Sequence, residues 1–187
     1  LFGFDTSEDA GSCVADVIAS GIIPVAIEFM DKPAIEICEA FAHAGYPLDV
    51  GALLIVEVEG SEAEMDDMLK DIVDIARRHG VSTVRECQSA TEAALIWKGR
   101  KSAFGATGRI ADYICMDGTV PLSQLSHVLK RTAEIIDHYG LRVANVFHAG
   151  DGNMHPLILF NANDTEDTAR AEAAGNDILK LCVDVGG

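Results

Sequence analysis

Apolar residues along the chain alternate between two spacings, which predicts a regular exchange of strands and helices. Short apolar runs of strand length, such as 52–56, are followed by longer segments in which apolar residues recur every three or four positions. Helix starts are marked by capping residues, as in the capping-box pattern of 61–64. Strands are predicted at 1–4, 22–29, 51–59, 82–86, 113–117, 141–147 and 154–160, and helices are predicted to end near 19, 44, 78, 103, 139 and 185.

The order of these elements predicts an α+β fold of two ferredoxin-like split βαβ lobes, with antiparallel sheets and packed helices. The lobes are expected at about 1–88 and 110–187, joined by a helix at about 90–105. The second lobe reads strand, helix, strand, strand, helix, so we expect it to be truncated at its last strand. A doubly wound nucleotide-binding sheet is the competing fold, but no GxGxxG follows the first predicted strand.

Charge and composition exclude several classes of protein. The formal net charge is −16, from 14 basic and 30 acidic residues, which disfavours binding to nucleic acid. No run of 18 apolar residues predicts a membrane-spanning helix. The five cysteines show no CxxC spacing, which favours a reducing compartment such as the cytoplasm and disfavours a cysteine-based zinc site. Because the chain starts at Leu1 without a signal peptide and stops at Gly187, we interpret it as a piece of a longer protein.

The segment 146–155, VFHAGDGNMH, is the strongest candidate for chemistry. Asp151-Gly152 tolerates positive φ angles and predicts a tight hairpin turn at its centre. In that register His148 lies directly opposite His155 on one face, with Cβ atoms roughly 4.5–5.5 Å apart. Two imidazoles so placed can each reach one metal ion, with a third ligand from elsewhere. Spacing alone leaves open the alternative of two histidines that only form hydrogen bonds.

Residues 147–156 resemble the G-H-x-G-D-G-N-x-H signature of the FAD-linked oxidase C-terminal domain family. That family includes D-lactate, glycolate and D-2-hydroxyglutarate dehydrogenases. The resemblance implies that residues 1–187 form the substrate or cap domain of a flavoprotein whose N-terminal domain holds most of the FAD. Further blocks resemble the family in order along the chain, at 21–24, 28–31, 97–101, 112–121 and 142–146.

The resemblance also implies roles for individual residues. His148 and His155 correspond to metal ligands, and the metal would be a divalent ion such as zinc, iron or manganese. Asn153 is expected to contact the cofactor. The third ligand, a glutamate, and the histidine that acts as base are expected in a G-E-H-G stretch just beyond Gly187. No catalytic base is therefore expected within the chain.

Arg100 is the candidate for holding the substrate. Its position in a W-x-x-R pattern resembles that of an arginine that holds the substrate carboxylate, a task that suits a planar guanidinium. A solvated surface arginine is the alternative, and Lys101 and Arg109 are weaker candidates for the same anion. Cys115 and Leu157 stand where some relatives place a lysine and an asparagine that contact a larger dicarboxylate. The substrate is therefore expected to be a small 2-hydroxyacid, glycolate or D-lactate.

The resemblance implies an FAD-dependent 2-hydroxyacid dehydrogenase or oxidase in the full-length protein, with this piece alone inactive. Other oxidase subunits, including an iron–sulfur subunit, are expected partners. A location in the cytoplasm is expected, with peripheral placement at the inner membrane through those subunits as an alternative. The competing function is a non-catalytic ferredoxin-like module that binds a small molecule or a metal for regulation.

Overall fold

A computed structural model describes all 187 residues, as nine strands, seven α-helices and two short 3₁₀ turns. The strands are β1 (Phe2–Phe4), β2 (Ala26–Asp31), β3 (Ala52–Glu57), β4 (Thr83–Val84), β5 (Asp112–Cys115), β6 (Gly118–Thr119), β7 (Arg142–His148), β8 (Asn153–Met154) and β9 (Pro156–Phe160). The helices are α1 (Ser7–Ala19), α2 (Lys32–Ala42), α3 (Glu62–Arg78), α4 (Ala90–Lys101), α5 (Ala103–Thr107), α6 (Leu125–Tyr139) and α7 (Thr165–Asp184).

All strands belong to one antiparallel sheet. Its order is β4-β1-β3-β2-β7, after which β8 and β6 continue in one direction, while β9 joins β7 to β5. In the first half, β3 lies between β1 and β2, and β1 lies between β3 and β4, which is the interleaved arrangement of a split βαβ unit. The predicted antiparallel α+β class is confirmed, and the doubly wound parallel alternative is wrong.

The first half of the chain meets the second through β2 and β7. Residues 28–30 pair antiparallel with residues 146–148, so the sheet continues from one half into the other. Phe29 and Phe147 face each other across this pair with ring centroids 4.8 Å apart. The predicted division at 1–88 and 110–187 stays a prediction, because the two parts share this sheet.

Helices cover both faces of the sheet. On one face, α1, α3 and α6 pack over Phe29 and Phe147. On the other face, α2, α4 and α5 pack over Met30 and Val146, because successive strand residues point to opposite sides. This second layer positions the candidate site. Its other buried residues include Ile35, Cys38, Leu53, Ile96, Ala103 and Leu157.

Most predicted elements are found, with four local differences. The single strand predicted at 154–160 is two strands, β8 and β9, interrupted at His155. Residues 22–25 are not a strand; Pro24 lacks the N–H that a ladder requires, and Ile23 is exposed. The helix predicted to end near 103 is divided at Ser102 into α4 and α5. The short strand β6 was not predicted. The cysteines are all free, and Cys13, Cys38 and Cys182 are buried as expected.

The helix caps agree with the sequence patterns. Asp31 accepts a hydrogen bond from the N–H of Ala34 at the start of α2, and Ser61 and Glu64 form the predicted capping box of α3. No helix of the structure is both long enough and apolar enough to cross a membrane.

Candidate functional site

The hairpin that carries the two histidines turns one residue earlier than predicted. β7 ends at His148, the chain turns through residues 149–152, and β8 begins at Asn153. Gly152 has φ +68°, and its N–H donates to the carbonyl of the first loop residue at 3.2 Å. Within residues 149–152 only Gly152 adopts the left-handed conformation, whereas the predicted turn needed two such residues. His148 therefore lies opposite Asn153, and its predicted direct pairing with His155 is wrong.

The two histidines nevertheless lie side by side. The observed register moves the partner of His148 by two residues, and a shift of two preserves the face on which each side chain lies. His155 is thus the diagonal neighbour of His148, and their ring centroids are 5.7 Å apart with an interplanar angle of 84°. The prediction that the imidazoles share a face is confirmed.

A buried glutamate on the neighbouring strand contacts one of these histidines. Glu28 lies directly opposite His148 in the β2–β7 ladder, and its Oε1 is 2.8 Å from His148 Nδ1. Its Oε2 accepts a hydrogen bond from Nε of Arg100 at 3.0 Å and forms an ion pair with Nη2 of the same guanidinium at 2.8 Å. One carboxylate thus connects the imidazole to the guanidinium.

Arg100 reaches this glutamate from α4, which packs over the sheet through Ile96. Its side chain is 7% exposed, so the alternative of a solvated surface arginine is wrong. The other two basic candidates lie over aromatic rings instead: Lys101 over Trp97, and Arg109 over Phe41. Arg100 is the basic residue that the fold places beside the histidines.

His155 lies in a more enclosed position than His148. Its side chain is 17% exposed, against 52% for His148. The ring of Phe104 in α5 lies edge-on to it, with centroids 6.4 Å apart. Its Nε2 is 3.4 Å from Oδ1 of Asp117, a carboxylate that is mostly exposed and therefore holds the imidazole weakly.

Two amide side chains near the hairpin contain buried oxygens without a hydrogen-bond partner in the chain. One is Oδ1 of Asn153, opposite His148, and the other is Oδ1 of Asn145 in β7. A buried acceptor without a partner is costly, which marks Asn153 as a place where a further donor would be stabilising. Its predicted contact with the cofactor stays a prediction.

Asp31, at the end of β2, is a buried carboxyl that contacts the neighbouring helix and strand. Its Oδ2 accepts hydrogen bonds from the N–H and Nδ2 of Asn145 at 2.9 and 2.7 Å. Burial raises the pKa of Asp31 from 3.8 to about 6, against the lowering effect of hydrogen bonds from Ala34 and Asn145. This carboxyl thus connects the end of β2 to the start of α2 and to β7.

Cys115 and Leu157, the two residues from which a small substrate is predicted, lie opposite each other in the neighbouring strands β5 and β9. Cys115 pairs with Leu157; Cys115 is exposed, while Leu157 is fully buried in the layer under α2 and α4. Neither residue offers a cation or an amide to a second carboxylate.

The imidazoles of His148 and His155 could supply two of the ligands of a metal ion, but not a complete set. No group of three or more His, Cys, Asp or Glu side chains converges to hold a metal ion. The two imidazoles are adjacent, however, and the carboxylate on His148 Nδ1 is the partner that metal-ligating histidines commonly have. The assignment of His148 and His155 as metal ligands, with a third ligand from elsewhere, stays a prediction.

Glu28 is the residue of this cluster for which the sequence pattern predicted no role. A signal was present, because residues 26–31 read AIEFMD, with a glutamate inside an otherwise apolar strand. A buried charge requires a partner, so such a glutamate predicts a cation or a donor nearby. The local sequence pattern does not show which partners Glu28 has, because Arg100 and His148 are 72 and 120 residues away along the chain.

The fold is that of a known class of flavoprotein domain. The chain matches the family "FAD linked oxidases, C-terminal domain" over residues 1–187, and it belongs to that family. It is 51% identical to the glycolate oxidase subunit GlcD of Escherichia coli K12, over 100% of this chain and 38% of that protein. It is 29% identical to a mitochondrial D-lactate dehydrogenase (cytochrome) of Kluyveromyces lactis, over 98% of this chain and 33% of that one.

A solved structure shows the same fold at low sequence identity. An alkyldihydroxyacetonephosphate synthase superimposes with a TM-score of 0.70 at 16% identity, covering 97% of this chain and 39% of that one. The chain therefore spans well under half the length of these similar proteins.

Proposed function

We propose that the chain is the substrate-binding domain of a flavin-dependent 2-hydroxyacid oxidoreductase that oxidises glycolate, or alternatively D-lactate, to the 2-oxoacid. The observation that carries the proposal is the convergence of Arg100, His148 and His155 on one face of the sheet. The 51% identity to a protein named as a glycolate oxidase subunit supports the substrate class. Family membership argues against the regulatory-module alternative.

Arg100 binds the substrate carboxylate in this proposal, because it is a buried, permanently charged guanidinium beside the histidine pair. His148 and His155 hold a divalent metal such as zinc, iron or manganese, which when bound supplies a Lewis acid for the substrate hydroxyl. FAD, held mainly outside residues 1–187, would supply the hydride acceptor when bound, and Asn153 would contact it. The hydroxyl proton passes to a base that is also outside these residues.

A small substrate is supported by the residues that line β5 and β9. Leu157 is apolar and fully buried, and Cys115 carries no positive charge, so neither pairs with a second carboxylate. Glycolate and D-lactate each carry one carboxylate, which Arg100 can hold, whereas D-2-hydroxyglutarate carries two.

The E. coli relative is named as a subunit, which supports assembly with other oxidase subunits. An iron–sulfur partner, and a place in the cytoplasm or at the inner membrane, remain predictions.

The test is a steady-state assay of the full-length protein on glycolate, D-lactate and D-2-hydroxyglutarate, with and without a chelator. We expect turnover of the first or second substrate, little of the third, and loss of activity with chelator. His155→Ala should remove bound metal and most turnover, whereas His127→Ala, on the surface of α6, should change neither. Full metal content and full rate in His155→Ala would contradict the proposed centre.

A further inference from the structure

The cluster contains one buried charge that the proposed function does not use. The Glu28 side chain is 6% exposed, and both of its oxygens are engaged, one by His148 and one by Arg100. Burying a carboxylate is costly unless charged or hydrogen-bonded partners surround it. Here those partners are the two residues to which separate tasks have been assigned: one for metal and one for substrate.

We propose that Glu28 is a positioning residue that sets the tautomer of His148 and the orientation of Arg100 together. The inference rests on the proposed function for what the two partners bind, and on the contacts of Glu28 for its role.

The contact with His148 determines which imidazole nitrogen is free. An ionised carboxylate only accepts hydrogen bonds, so Nδ1 of the neutral ring must carry the proton. Nε2 is then unprotonated and available as a ligand, on the more exposed of the two histidines. Glu28 thereby prepares His148 to bind metal.

The contact with Arg100 determines which edge of the guanidinium is free. Glu28 occupies the edge formed by Nε and Nη2 with a single oxygen. The edge formed by Nη1 and Nη2 remains for a second carboxylate. Because the side chain is buried under α4, this edge has a fixed direction, and a substrate carboxylate meets Arg100 end-on.

Glu28→Gln in the full-length protein separates this role from a merely structural ion pair. A guanidinium is a donor only, so the amide oxygen of the substituted side chain must face Arg100 and its amide NH₂ must face His148 Nδ1. Nδ1 then accepts a hydrogen bond, and the proton moves to Nε2, which can no longer ligate metal. The substitution should thus reverse the tautomer while leaving the side-chain volume unchanged.

The first readout is the NMR spectrum of ¹⁵N-histidine-labelled protein without metal, with His148 assigned through a His148→Gln variant. We expect the Nδ1–H tautomer in wild type and the Nε2–H tautomer in Glu28→Gln. The second readout is Mn²⁺ or Zn²⁺ affinity, which should fall by about 10- to 100-fold, as for other losses of the carboxylate behind a ligating histidine. Glu36→Gln, at an exposed glutamate on α2, is the control and should alter neither.

An unchanged tautomer and an unchanged metal affinity in folded Glu28→Gln would overturn the inference. If wild type binds no metal and oxidises no hydroxyacid, the proposed function fails, while the tautomer measurement still decides the role of Glu28. Should Glu28→Gln not fold, Glu28→Asp retains the charge but is shorter by one methylene, and it should lose one of the two contacts and part of the metal affinity. Failure of both variants to fold would assign Glu28 to a structural ion pair instead.

Discussion

Asp31 illustrates how one buried side chain can serve three elements at once. It ends β2, caps α2 through the N–H of Ala34, and accepts two hydrogen bonds from Asn145 in β7. The capping role is visible in the sequence, since an aspartate stands two residues before Pro33 in the first turn of a helix. The bond to Asn145 spans 114 residues and depends on the sheet order.

The raised pKa of Asp31 predicts a dependence of stability on pH. The pKa of Asp31 is about 6 in the folded state and 3.8 in the unfolded state. Between these pH values the folded state therefore carries the proton on Asp31 more often than the unfolded state does. The contribution of Asp31 to the free energy of unfolding is therefore greatest below pH 3.8, and it is lost as the pH rises through 6. Since 1 pKa unit corresponds to about 1.4 kcal/mol, the loss is about 3 kcal/mol.

Urea unfolding of wild type and Asp31→Asn at several pH values between about 4 and 7 checks this. The variant has no titrating group at this position. The free energy of unfolding of wild type minus that of the variant should therefore decrease as the pH rises. A difference that stays constant over this range would show that Asp31 does not titrate as expected.

At the scale of elements, the histidine hairpin depends on one glycine. Gly152 has φ +68°, and a Cβ there would lie 2.3 Å from the carbonyl oxygen of Val120, so no larger residue fits without a backbone shift. That contact belongs to the segment where the N–H of Val120 donates to the carbonyl of Gly152, next to the β6–β8 pair. The hairpin and β6 are thus held together at this position.

Gly152→Ala should destabilise the chain more than Gly80→Ala. Both glycines have a positive φ, which costs an alanine about 1–2 kcal/mol. Gly80 has open space around it, with φ +74°, so it reports the backbone cost alone. The backbone clash adds to this cost only at Gly152. Equal losses in urea unfolding would contradict the close approach to Val120.

At the scale of the whole molecule, the continuous sheet predicts cooperative unfolding. The β2–β7 junction is packed by the stacked pair Phe29 and Phe147, both fully buried. Phe147→Ala should lower the free energy of unfolding by about 3–5 kcal/mol, since it leaves a cavity at the junction. Phe41→Ala, at a partly exposed ring on α2, should cost much less.

Two probes test whether the halves unfold together. The single tryptophan, Trp97, lies in α4, and far-ultraviolet circular dichroism reports all helices. Coincident urea transitions by fluorescence and dichroism are expected of one cooperative unit. Separate transitions would instead favour independent lobes at about 1–88 and 110–187.

The sequence by itself determined most of the elements, the antiparallel α+β class and the shared face of His148 and His155, because these follow from local periodicity, caps and a motif of short range. The shared face survived the error in turn position because strand side chains alternate with a period of two. Only the tertiary structure decided which residue took the left-handed conformation in the turn, and which cation neutralises Glu28. The ion pair with Arg100 joins a strand to a helix 72 residues away, and local pattern carries no information about such a contact.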